Sequence, residues 1–110
     1  MKIAAAALSD KERSRICSNP LRTPFFLLFD EAGIFLDSLW NPFRIGGGSA
    51  GYGIAQILMN ERADCLITGS CPAETKKILK EYGIRVIIDK GEALSAVEKY
   101  RSQDAVSQPG

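Results

Sequence analysis

The 110-residue sequence contains no histidine, and this absence excludes several kinds of chemistry. Without an imidazole there is no histidine general acid or base, no Ser-His-Asp or Cys-His triad, and no zinc site with a histidine ligand. The sequence also has almost no excess of charge of one sign, because it contains 14 basic and 13 acidic side chains. No basic surface typical of duplex nucleic-acid binding is therefore expected. The composition therefore disfavours both an enzyme and a nucleic-acid partner.

Cysteines and long apolar runs are scarce as well. The three cysteines are odd in number and show no CxxC spacing, which favours free thiols in a reducing cytosol over a disulfide framework. No apolar run approaches the ~20 residues of a membrane span. No signal peptide precedes the strand-like segment that follows Met1. The sequence predicts a soluble, cytoplasmic protein with no membrane partner.

Short apolar runs separated by turn residues predict one α/β domain over residues 1–101, followed by a disordered tail over residues 102–110. Five runs are typical of strands, and they cover residues 3–8, 24–30, 34–40, 64–68 and 84–89. Helical spacing predicts three helices, at residues 52–62, from Pro72 to a stop at Gly83, and at residues 92–101. The order β-β-β-α-β-α-β-α, with a hairpin at Gly33 and two later parallel crossovers, predicts a five-stranded mixed sheet with helices on both faces.

Two thiols are predicted to approach each other at the carboxyl edge of this sheet. Cys71 lies in the turn of residues 69–72, between the fourth strand and a helix, where a thiol is expected to have a lowered pKa. Cys17 lies in the long loop of residues 9–23, which leaves the same edge if the first and fourth strands are parallel neighbours. Both are candidate metal ligands, with ordinary buried thiols as the alternative, and Cys65 is expected to pack in the core.

A glycine-rich loop precedes the first helix and matches the pattern Gly-x-Gly-x-x-Gly over residues 46–51. It follows a hairpin and does not open a βαβ unit, so dinucleotide binding is the least favoured of three interpretations. A mobile connection capped by Ser49 and a loop whose N–H groups hold an anion or a cluster both stay open.

The 9–23 loop also contains Arg13, Arg15 and Arg22. Residues 1–22 carry five basic and two acidic side chains, whereas residues 23–73 carry two basic and five acidic ones. The arginines form either a solvated face or a basic rim for an anionic ligand. A basic rim beside the glycine-rich loop would also suit an enzyme acting on a phosphorylated small molecule, which is a third class of function.

Five short motifs occur in a familiar order along residues 1–101, and together they resemble the dinitrogenase iron-molybdenum cofactor biosynthesis family. The motifs are Met1-Lys2-Ile3-Ala4, Arg22-Thr23-Pro24-Phe25-Phe26, Asn41-Pro42, Gly47-Gly48 ahead of Ala55-Gln56, and Tyr82-Gly83-Ile84. The resemblance implies a ribonuclease H-like fold. It also implies a non-enzymatic role in carrying or inserting iron–sulfur or molybdenum-containing clusters, with a cluster donor or acceptor protein as the partner.

One departure from the family pattern concerns the expected ligand. Members commonly show a Ser-x-His-Phe-Gly-Arg stretch leading into the second strand. Here Asn19 stands at the position of the histidine and Leu21 at that of the glycine, and only Arg22 is retained. Asparagine is a poor ligand for a soft metal. The metal-ligand prediction therefore moves to Cys17 and Cys71.

The sequence predicts a small cluster carrier or scaffold, and the alternative is an interaction or regulatory module of the same fold that has lost the cluster. The expected metal ligands are Cys17 and Cys71, and the residues expected to hold the cluster by charge and hydrogen bonds are Arg22, Gly47, Gly48, Ser49, Gly69 and Ser70. The cofactor is an iron–sulfur or molybdenum-containing cluster in the first case and none in the second. We expect a monomer or a weak homodimer, with Phe35, Leu39 and Trp40 on an edge hairpin as the contact.

Overall fold

The computed structural model describes residues 2–46 and 48–107, with side chains described as far as Arg101. Strands and helices follow one another in the predicted order. They are β1 (Lys2–Ala7), β2 (Phe25–Asp30), β3 (Phe35–Trp40), α1 (Ala50–Asn60), β4 (Ala63–Thr68), α2 (Ala73–Glu81), β5 (Arg85–Ile88) and α3 (Ala93–Ser107). The strand limits lie within one residue of the predicted ones, because turn residues bound each apolar run.

The helix limits differ more from the prediction. α1 begins at Ala50 and ends before Arg62, which takes a left-handed φ of 60° and so turns the chain out of the helix. α3 continues to Ser107, six residues beyond the predicted end at Arg101, because no glycine or proline interrupts it there. Residues 108–110 lie outside the described residues, so disorder in that part of the tail stays a prediction.

The strands form one mixed five-stranded sheet with the order β3-β2-β1-β4-β5. β1 lies in the centre, antiparallel to β2 and parallel to β4, while the outer pairs are antiparallel β2–β3 and parallel β4–β5. The predicted α/β class and mixed sheet are therefore confirmed. The parallel pairing of β1 with β4 also matters for function, because it brings the ends of both strands to the same edge.

Helices cover both faces of the sheet, and the alternation of side chains along β1 shows why. Ala4 and Ala6 pack under α1 and α2, whereas Ile3, Ala5 and Ala7 pack under α3. Alanine is a weak strand former, but in a strand covered on both faces its small side chain allows the helices to lie close to the sheet. The largest buried side chains are Phe26, Leu66, Ile54, Leu58 and Leu79 on the α1–α2 face, and Phe29, Ile67 and Val97 on the α3 face.

The hairpin at the edge of the sheet matches the features predicted from the sequence in part. Gly33 takes the left-handed φ of 85° that the tight turn requires. β3 is an edge strand and Trp40 is half-exposed on it, but Phe35 and Leu39 pack inward against the two cores. The homodimer contact through these residues stays a prediction. Within the described part of the chain, no helix has the length and apolar character needed to cross a bilayer.

Candidate functional site

The second half of the 9–23 loop is ordered and crosses the carboxyl edge of the sheet. Residues 14–18, here called the strap, are held by backbone hydrogen bonds on both sides. The Cys17 N–H donates to the carbonyl of Ala6 in β1 at 2.9 Å, and the Gly69 N–H after β4 donates to the Cys17 carbonyl at 2.9 Å. The strap therefore joins the ends of the two parallel central strands.

The turn that follows β4 packs directly against the strap. A Cβ atom built on Gly69 would lie only 2.8 Å from the Ser18 Cα, so a side chain at this position has no room. The Ser70 hydroxyl donates to the Ser18 carbonyl at 2.5 Å, and the Thr68 hydroxyl oxygen lies 3.3 Å from the Cys17 carbonyl. The predicted approach of the two loops is thus present. The Gly69 N–H and the Ser70 hydroxyl, predicted to hold a cluster, hold the strap instead.

The two candidate thiols lie on the same face of the sheet. Cys17 is 9% exposed and belongs to the core under α1 and α2, and half-buried Cys71 packs against the same core. The Cys17 sulfur lies 3.6 Å from the Asn19 carbonyl, to which the thiol donates. Cys65 packs in the core on the opposite face, as predicted. Cys17 and Cys71 are therefore neighbours of one core and Cys65 is separated from them by the sheet.

The predicted lowering of the Cys71 pKa is wrong. Burial raises the pKa of this thiol, and the nearby Lys76 ammonium lowers it by a smaller amount. The physical reason is the position of the helix start: Pro72 is the N-cap and α2 begins at Ala73, so Cys71 precedes the first turn. The helix dipole acts mainly within that turn. Desolvation of the thiolate is therefore the larger effect.

Asn19, at the position of the family histidine, has a structural role in a tight turn. Its side-chain oxygen accepts a hydrogen bond from the Leu21 N–H at 2.9 Å, and its carbonyl accepts one from the Arg22 N–H at 3.2 Å. The exposed Arg22 guanidinium forms no hydrogen bond or ion pair with the described residues. Arg22 is thus available to an anion at this edge.

The glycine-rich loop is described only in part, because Gly47 lies outside the described residues. Gly48 and Ser49 are exposed. Ser49 occupies the N-cap position of α1, as in the interpretation of a capped connection, but its side chain makes no capping hydrogen bond. A Cβ on Gly51 would lie 3.1 Å from the Ile78 Cδ1, which shows how closely the start of α1 packs on α2. The loop therefore enters the helix layer beside α2.

The three arginines of the predicted basic rim are not all unpaired in the structure. The Arg13 Nη1 lies 2.9 Å from the Glu92 Oε1, at the residue that precedes α3. Arg15 forms an isolated backbone bridge with the same glutamate and its side chain is exposed. Since Glu92 neutralises Arg13, the argument for an enzyme acting on a phosphorylated substrate loses one of its cations.

Two buried polar residues hold the site loops, a role that their place in the family motifs did not indicate. Thr23 and Asn41 are both fully buried. The Thr23 hydroxyl donates to the Ala7 carbonyl at 2.9 Å, and the Asn41 amide donates to the Thr23 carbonyl at 2.9 Å. The Asn41 side-chain oxygen accepts from the Phe43 N–H at 2.9 Å. The available signal was a polar residue at each end of an apolar strand, where loops need partners.

The described residues contain no group of three or more Cys, Asp or Glu side chains that could hold a metal ion. The chain alone therefore offers at most two thiols to a metal in this part of the molecule. Iron–sulfur clusters are usually held by four cysteine thiolates, and a structural metal ion also takes about four ligands. Two thiols would therefore hold either kind of metal centre only in part and would leave the remaining positions to other donors.

Known proteins resemble this chain in sequence and in fold. The family described as dinitrogenase iron-molybdenum cofactor matches residues 1–103. The apo form of the orange protein from Desulfovibrio gigas has a TM-score of 0.85 and 23% identity, covering 93% of this chain and 88% of that chain. A NifB-like protein from Thermotoga has a TM-score of 0.77 and 17% identity, with 92% and 87% covered. A dinitrogenase-like protein from Methanocaldococcus jannaschii has a TM-score of 0.63 and 15% identity, with 94% and 90% covered. At these identities the structures show a shared fold alone, and no curated protein matches the chain.

Proposed function

Because the chain belongs to the dinitrogenase iron-molybdenum cofactor family, we propose that it carries an iron–sulfur or molybdenum-containing cluster and does not catalyse a reaction. The observation that supports this most is the meeting of the strap and the 69–72 turn, with Cys17 and Cys71 against one core beside it. The cluster is cargo, received from one cytoplasmic protein and passed to another.

Cys71 is the proposed point of entry because it is the more accessible of the two thiols. Its raised pKa keeps the thiol protonated near neutral pH, so an incoming metal displaces a proton. Cys17 would become the second ligand after its side chain turns away from the Asn19 carbonyl. Arg22 would then balance the negative charge of a thiolate-bound cluster.

Anaerobic reconstitution tests this proposal. The purified protein is incubated with ferrous iron and sulfide, or with tetrathiomolybdate, and bound metal and visible absorbance are measured after desalting. We expect Cys71→Ser to lose most of the bound metal and Cys17→Ser to lose part of it. Cys65→Ser is the matched control, because it removes a thiol from the opposite face of the sheet. Metal content that is unchanged in the Cys17→Ser, Cys71→Ser double variant would overturn the proposal.

A second candidate function is an interaction module that keeps the fold without a cluster. It is supported by Asn19, whose side-chain oxygen is used in a turn and which is not a ligand for a soft metal. On this reading, the wild-type protein stays colourless after reconstitution, whereas Asn19→His gains metal because a ligand returns to the loop. Thiol-dependent metal uptake by the wild-type protein would exclude this second function.

A further inference from the structure

A cavity of about 320 Å³ lies between α2 and the edge strand β5, away from the strap. The sheet ends at β5, so within the described residues one long side of this strand has no neighbouring strand. The cavity is lined by Lys76, Lys80, Gly83, Ile84, Arg85 and Val86. Its volume lies within the range of small-molecule sites, about 300–1,000 Å³. None of the described residues predicted for the cluster lines it.

The floor of this cavity is apolar because it is formed by the edge of the core. Ile84 is 2% exposed and half-buried Val86 packs against the same core under α1 and α2. Gly83 adds no side chain, and no atom lies within 4 Å of the position that a Cβ would take there. The surface that the floor offers to a ligand is therefore mainly that of half-buried Val86, because Ile84 is almost fully covered.

Among the residues that the structure describes, the rim of the cavity carries positive charge and no acidic side chain. Lys76 and Lys80 are exposed and lie four residues apart on α2, so they share one side of the helix. Like charges at this spacing repel each other. Neither ammonium forms an ion pair with the part of the chain that the structure describes. An anion placed between them would relieve the repulsion.

Arg85 lines the cavity, but its guanidinium is directed toward α3 on the other face of the sheet. It donates a hydrogen bond to the Tyr100 hydroxyl and lies 5.7 Å from the centre of the tyrosine ring. Tyr100 packs against the α3 core, whereas Val86 packs against the α1–α2 core. The positive charge on the described rim therefore comes from Lys76 and Lys80, with an apolar floor beneath them.

We propose that this cavity binds a small organic anion that has an apolar body and one carboxylate, phosphate or sulfonate group. The apolar body would lie on Val86, and the acidic group would lie between Lys76 and Lys80. The inference does not rest on cluster binding, because none of the described residues proposed to hold the cluster lines the cavity, although the charge of Lys76 also acts on Cys71. It requires both halves of the ligand: an inorganic anion leaves the floor unused, and a neutral compound leaves the rim unused.

A small molecule fits this cavity better than an acidic peptide that adds a strand to the sheet edge. β5 has only four residues, and very short edge strands are one of the features that protect a sheet against strand addition. The lining residues also occupy one helical turn and one strand end, a span too short for an extended peptide. The peptide is therefore an outcome of the test and not the proposal.

The test is a titration of the isotope-labelled full chain with 2-naphthoate, followed by amide resonances in two-dimensional NMR spectra. We expect saturable shifts at residues 83–86. Lys80→Gln should weaken binding about threefold to fivefold, as expected for one solvent-exposed charge contact. Lys77→Gln is the matched control, because Lys77 is exposed on the same helix but does not line the cavity. It should leave the affinity within about twofold, which is the scatter expected for a distant surface charge.

Three further ligands make the result decisive. The neutral 2-naphthalenemethanol and inorganic phosphate should each bind more weakly than 2-naphthoate, and an acidic hexapeptide should not shift residues 83–86. The proposal is overturned if 2-naphthoate gives no saturable shifts at millimolar concentration, or if the neutral compound or phosphate binds equally well. It is also overturned if Lys77→Gln weakens binding as much as Lys80→Gln, or if only the peptide binds.

Discussion

Replacing Gly69 with alanine tests whether the strap is held by its close approach to the 69–72 turn. The added Cβ would lie 2.8 Å from the Ser18 Cα and 3.3 Å from the Cys17 carbonyl oxygen. Carbon atoms in ordinary contact are about 3.5–4.0 Å apart, so the first contact is too short by about 1 Å. Both neighbours are backbone atoms. They cannot turn away as a flexible side chain would, and the strap has to move.

The expected loss of stability follows from the bonds that such a movement strains. The Gly69–Cys17 backbone bond of 2.9 Å and the Ser70–Ser18 bond of 2.5 Å both cross this contact. At about 1 kcal/mol for each bond, their loss costs about 2 kcal/mol. Alanine restricts the unfolded chain and returns about 0.5 kcal/mol. The free energy of unfolding should therefore fall by about 1.5 kcal/mol, which lies within the usual range for overpacking.

Urea unfolding followed by far-UV circular dichroism measures this change. The rate at which a disulfide reagent modifies Cys17 in the Cys71→Ser background measures the movement of the strap, and we expect it to increase. Gly48→Ala is the control, because its Cβ would meet no atom within 4 Å. A Gly69→Ala protein with the stability of the wild type and the same Cys17 reactivity would refute the argument that this contact holds the strap.

Four other substitutions, besides the control Asn60→Ala, test separate parts of the structure. Asn41→Ala should lower the free energy of unfolding by about 2–3 kcal/mol because it leaves buried backbone groups without partners, whereas exposed Asn60→Ala should change it little in the same urea assay. Arg62→Gly should raise the free energy of unfolding by about 0.5–1 kcal/mol. Glycine removes the backbone strain at φ 60°, and this gain exceeds the larger conformational entropy that glycine loses on folding. An unchanged midpoint of urea unfolding would contradict this. Burial raises the Cys71 pKa, so the folded state retains a proton that the unfolded chain releases. Stability should therefore fall as pH rises through the thiol range, less so in Cys71→Ser. Lys76→Gln should shift alkylation of Cys71 to higher pH, and a shift to lower pH would contradict the stated cause.

Local sequence patterns predicted the strands and helices, because the apolar residues that each element buries recur with the period of that element. β2 is an unbroken apolar run between turn residues, and it forms a strand buried on both faces. The end of α1 was harder to predict, because it depends on Arg62 adopting a left-handed conformation that arginine seldom takes. The end of α3 was set too early because a weak apolar stripe does not stop a helix that has already nucleated.

The sequence was enough to predict where the candidate site lies in the fold, but not its chemistry. The parallel pairing of β1 and β4 was enough to bring the 9–23 loop and the 69–72 turn to one edge. The direction of the Cys71 pKa depended on whether Pro72 caps α2 or lies inside it, a difference of one residue that helix patterns do not resolve. The functions of Gly69 and Ser70 in holding the strap depended on tertiary distances, which no local pattern contains.

The strap also has a consequence for the rate at which a cluster would be taken up. Three hydrogen bonds hold it near Cys17, from the Cys17 N–H, the Gly69 N–H and the Ser70 hydroxyl. At about 1 kcal/mol for each bond, a strap that is released at residues 17 and 18 is present in about one molecule in 150. If Cys17 must be released before it can bind metal, Gly69→Ala should speed metal uptake while it lowers stability. Stopped-flow absorbance during anaerobic addition of tetrathiomolybdate measures this rate, with Asn60→Ala, at an exposed position of α1, as the control. An uptake rate that is unchanged in Gly69→Ala would mean that Cys71 takes the cluster alone and that release of Cys17 does not limit uptake.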